Sequence, residues 1–153
     1  MAELAPYKLK PEWKQKWIEA LVSDEFTQTR GCLKNDSGGH DALGVLCEIV
    51  LREKAEEVGA HWFKMKDRPI YTVIGVGDEE PSTNLEQDNI FLYMPYYIVK
   101  EVFDPVGAER LEARSGWLNQ YVEAGKGRGM SIASLNDTGA DFADIADVIE
   151  RLL

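Results

Sequence analysis

At 153 residues, with 44% apolar and 29% charged side chains, the chain has the size and composition of one folded domain spanning 1–153, able to bury a core without disulfides or metals. Its 27 acids against 17 Lys and Arg give a formal charge of −10, and the sequence has no Lys or Arg run, which argues against direct binding to a phosphate backbone. No apolar run nears the roughly 20 residues that cross a bilayer, and residues 1–6 carry no basic and then hydrophobic leader. The expectation is a cytoplasmic protein with Cys32 and Cys47 reduced.

Pro11 suits a first helical turn because its missing N–H would have no partner there, and Trp13, Trp17 and Leu21 recur every four residues. This predicts an amphipathic helix facing a core. The polar stretch 27–31 and the run Asn35-Asp36-Ser37-Gly38-Gly39 read as loop, with a tight turn in the second. Asp41 is a candidate N-cap for a helix that is apolar almost all round from Ala42 to Val50, the signature of a helix buried at the centre of a fold.

Residues 61–77 are rich in β-branched and aromatic side chains, predicting two strands joined around Asp67-Arg68-Pro69. A surface loop over 78–89, a third strand at 90–94 and a helix over 96–103 follow. A further helical stretch falls on 108–113 or 117–124, and glycines at 125, 127 and 129 break the chain. The last helix carries Phe142, Ile145, Ala146, Ile149 and Leu152 on one stripe, with Asp141 and Asp144 in the first turn, where the helix dipole favours acids. The fold class is therefore α+β, with helices at both ends around a small antiparallel sheet of two or three strands.

The acidic excess is local. Residues 78–112 hold Asp78, Glu79, Glu80, Glu86, Asp88, Glu101, Asp104, Glu109 and Glu112 against Lys100 and Arg110, which is seven of the ten net charges. Of these, Asp78, Glu79, Glu80, Glu86, Asp88, Glu101 and Asp104 are the candidate partner-binding residues.

A second feature is a repetition: Asn35-Asp36-Ser37-Gly38 and Asn136-Asp137-Thr138-Gly139 share one pattern, each ahead of a predicted helix. Capping of the free helical amides by Asx and hydroxyl oxygens accounts for it. The alternative is a polar ligand site shared by both loops, built from Asn35, Asp36, Ser37, Asn136, Asp137 and Thr138.

The chemistry-bearing side chains do not assemble into a motif. Cys32, His40, Cys47 and His61 fit no zinc spacing, and pairing either thiol with either histidine as nucleophile and base has only residue type behind it. Gly75-Val76-Gly77 follows a strand but leads into acids, without a lysine-bearing phosphate loop. The reading is of a binding protein rather than an enzyme, with no catalytic residue, cofactor or metal.

Several segments carry a resemblance. Trp17-Ile18-Glu19-Ala20-Leu21, Arg30-Gly31-Cys32-Leu33, Leu43-Gly44-Val45-Leu46-Cys47-Glu48, Leu135-Asn136-Asp137 and the run from Phe142 to Glu150 together resemble a family of small uncharacterised proteins of tailed bacteriophages and prophages. That family has a pair of cysteines ahead of its Leu-Gly-Val-Leu-Cys element, where this chain has Asp41-Ala42. The resemblance implies an accessory protein acting in the cytoplasm of an infected bacterium, and brings no catalytic residues with it.

By analogy, the expected role is inhibition of a host defence factor, in the manner of an anti-CRISPR protein. The acidic stretch would imitate nucleic acid against a basic surface of that bacterial protein or complex. A small-ligand, nucleotide-type binding protein is the alternative, with an enzyme or a virion component less favoured. Neither nucleic acid nor membrane is an expected direct partner.

Overall fold

The computed structural model describes residues 9–66, 68–78, 96–102, 136 and 139–152. Helix α1 (Pro11–Val22) starts on its proline and buries Trp13, Trp17 and Leu21, the stripe read from the sequence. The indole Nε1 of Trp17 donates to Ala42 O at 2.9 Å, so α1 is tied to the first turn of the next helix as well as packed on it. Burying a tryptophan this completely requires a partner for its N–H, and the carbonyl supplies one.

That next helix, α2 (Ala42–Val58), is the centre of the molecule. Every residue from Ala42 to Cys47 is buried, as are Val50 and Leu51. Asp41 caps it as expected, its Oδ1 accepting the Gly44 N–H at 2.6 Å. Gly59, at φ 69°, ends it in the left-handed conformation that glycine adopts without a Cβ clash.

Around α2 lie a mixed sheet and two further helices. Strand β4 (Ala60–Lys64) pairs antiparallel with β5 (Ile70–Gly75), the hairpin expected around residues 67–69. Three two-residue strands extend the sheet: β1 (Thr27–Gln28), β2 (Lys34–Asn35) and β3 (Gly39–His40). The spatial order is β1-β3-β2-β5-β4, with β1 and β3 parallel and the other pairs antiparallel.

The α+β class with helices at both ends holds, but the sheet has five strands instead of two or three and is not purely antiparallel. The stretch 27–40 reads as loop because two-residue strands of polar residues and glycine carry no alternation of apolar and polar side chains. The tight turn is where it was expected. It joins β2 to β3, with Gly38 at φ 91° and its N–H donating to Asn35 O at 3.2 Å.

Helix α3 (Tyr96–Val102) contributes Ile98 and Val102 to the core, and α4 (Phe142–Leu152) contributes Phe142, Ile145, Ala146 and Ile149. The first turn of α4 is held by two acids in reciprocal bonds. Asp141 Oδ1 accepts the Asp144 N–H at 2.9 Å, and Asp144 Oδ2 accepts the Asp141 N–H at 3.3 Å, an acidic version of the capping box. The loop expected over 78–89 lies outside the described residues from residue 79 on, as do the strand at 90–94, the helical stretches at 108–113 or 117–124 and the glycine break.

Candidate functional site

Cross-strand pairing sets up a row of side chains on one face of the sheet. Lys34 stands opposite His40 on one side and Tyr71 on the other, and Tyr71 stands opposite Lys64. Directly paired residues point to the same face, so the row runs His40, Lys34, Tyr71, Lys64, with Trp62 on that face two residues before Lys64.

Helix α2 brings Glu48 against this row. Glu48 Oε1 accepts from His40 Nε2 at 3.1 Å, Lys34 Nζ at 3.2 Å and Trp62 Nε1 at 3.1 Å, while Arg52 Nε lies 3.5 Å from Oε2. The hydrogen bond from His40 is the chief reason the Glu48 carboxyl drops to a pKa of about 2; burial works the other way, and Lys34 adds to the lowering. At neutral pH this group is a fixed anion with its oxygens occupied, not a proton donor.

Aromatic rings close the cluster. His40 meets Phe26 and Trp62 edge-on at 5.2 and 6.2 Å between centroids, and Lys34 Nζ lies 4.9 Å from the Trp62 ring and 5.0 Å from that of Tyr71. His40 is only 6% exposed, and its Nδ1 has no hydrogen-bond partner among the described residues. Sequence reasoning missed this cluster, although one signal was present: Glu48 is the only charged residue between Ala42 and Leu51. A lone acid inside an apolar helix must find donors.

The two Asn-Asp-Ser/Thr-Gly segments meet at Thr29. Asn35 Nδ2 donates to Thr29 Oγ1 at 3.0 Å, and Asn136 Nδ2 donates to Thr29 O at 2.7 Å. Asn35 bonds within its own turn and the N-cap of α2 is Asp41, which corrects the capping expectation for the first segment; α4 is capped by Asp141, and Asp137 and Thr138 of the second segment lie outside the described residues. Asn35 folds the β2–β3 turn, its Oδ1 accepting from the N–H groups of Ser37 and Gly39.

Asn136 is fully buried, and its Oδ1 accepts from Gln28 Nε2 at 2.8 Å and from the Ala42 N–H at 3.2 Å, in the first turn of α2. It thus joins β1, the Thr29 segment and the central helix. Asn136→Ala is expected to destabilise the fold by about 2 kcal/mol, because buried donors and an acceptor lose their partner together. Urea denaturation of the two proteins measures it. Asp36 and Ser37 are exposed at the turn, and Asp137 and Thr138 lie outside the described residues.

Of the acidic candidates, Asp78 is exposed, but its Oδ2 accepts from the Gly75 N–H at 3.0 Å and the Tyr97 hydroxyl at 2.9 Å. Glu101 Oε2 accepts from Trp13 Nε1 at 3.1 Å and lies 3.9 Å from Lys54 Nζ. Glu79, Glu80, Glu86, Asp88 and Asp104 lie outside the described residues. Elsewhere α4 presents Asp141, Asp144, Asp147 and Glu150 to solvent at three-residue intervals, next to α1 with exposed Glu12 and Glu19.

Cys32 and Cys47 are both buried. Burial pushes the Cys47 thiol up, and the nearby Asp41 and Glu48 carboxylates push it further, opposing thiolate formation. His61 is exposed, with Nδ1 2.9 Å from Trp62 O. Among the described residues no three of His, Cys, Asp or Glu are grouped to hold a metal ion, and no helix among them is long and apolar enough to cross a membrane.

The family model for a domain of unknown function, DUF8296, matches residues 9–153. No curated protein and no solved structure matches the chain.

Proposed function

This chain belongs to the DUF8296 family, and we propose that it is a phage-type accessory protein that inhibits a bacterial defence factor by presenting an acidic surface to the factor's nucleic-acid-binding face. The observation that carries the reading is charge: −10 overall, seven of those charges within 78–112, with exposed acids also at regular intervals along α4. Such a surface speeds association with a basic partner and makes it sensitive to salt. Because Asp78 and Glu101 are engaged with neighbours, the proposal places more weight on Glu79, Glu80, Glu86 and Asp88. It needs no catalytic residue, cofactor or metal, and it acts in the cytoplasm of the infected host.

The test is plaque formation on bacteria carrying a CRISPR or other nuclease-based defence, with and without the chain. Expression is expected to restore plaquing, and the combined exchange Glu79→Lys, Glu80→Lys, Glu86→Lys and Asp88→Lys to abolish the restoration while the protein stays folded. Unchanged plaquing across a panel of such defences, or full activity of the reversed variant, refutes charge mimicry.

The convergence of Asn35 and Asn136 on Thr29 favours a second reading, a nucleotide-type ligand held near those loops. A ligand raises the melting temperature of the state it binds, so the absence of any shift with saturating nucleotides or cyclic dinucleotides retires this reading.

A further inference from the structure

We draw no further inference here: the strongest candidate, the apolar patch of Phe63 and Ile70 around Met65 and Cys32 on the sheet face turned away from α2, carries nothing because no contact among the described residues shows what covers it.

Discussion

Gly44→Ala is expected to prevent folding, or to cost more than about 4 kcal/mol, although alanine is the better helix former. A Cβ at position 44 would lie 1.8 Å from the Leu33 carbonyl oxygen and 2.7 Å from its carbon. Both are backbone atoms, so no side chain can swing aside. Nor is the Leu33 carbonyl free to move, since it also accepts the Asp41 N–H at 3.1 Å, just ahead of the α2 cap. Relief would require α2 to lift away from Leu33, and with it the Trp17 bond to Ala42 and the packing of Val45 and Leu46. Solubility and chemical denaturation of the variant measure the effect, and a stability within about 1 kcal/mol of wild type would show that α2 does not approach Leu33 this closely.

The same short element, Leu43-Gly44-Val45-Leu46-Cys47-Glu48, thus has a physical account. Leu43, Val45, Leu46 and Cys47 are buried in the core, Gly44 permits contact with the Leu33 backbone, and Glu48 meets the sheet row. The apolar members were legible in the sequence from their density. The glycine was not, because its reason is a neighbour eleven positions earlier that periodicity does not see.

Legibility followed the range of the interactions elsewhere too. The cap at Asp41, the stripes of α1 and α4 and the β4–β5 hairpin are specified by residues close in sequence, and all stand where the residues placed them; Asp141, expected inside the first turn of α4, caps it instead. Strands β1, β2 and β3 are held by one or two cross-strand pairs at each seam and by the amide of Asn35, and left no periodic trace. Charge counting had a different weakness. It located an acidic segment, but it could not know that Tyr97 would bind Asp78 or that Trp13 would bind Glu101. Exposed and engaged carboxylates look identical in a composition.

Glu48→Gln is expected to cost about 3 kcal/mol at pH 7 and progressively less as the solution is acidified. The Glu48 carboxyl falls from 4.5 to about 2 on folding, so the folded state binds fewer protons than the unfolded chain between those values. The stability its charge contributes is fully present above pH 4.5 and is lost as pH falls toward 2. Discounted for the solvent that reaches the carboxylate, this contribution is about 2 kcal/mol. The remaining cost of the variant is geometric. One carboxylate oxygen serves His40, Lys34 and Trp62, and an amide rotated to keep its oxygen there would aim its NH2 toward Arg52, itself a donor 3.5 Å from the other oxygen. Denaturation curves for both proteins at pH 7, 5 and 3 separate the two parts: the wild type should weaken more steeply than the variant between pH 5 and 3, so that their midpoints converge. Parallel pH profiles would mean that Glu48 is not held below its ordinary range, and that the sheet row keeps its order without the anion beneath it.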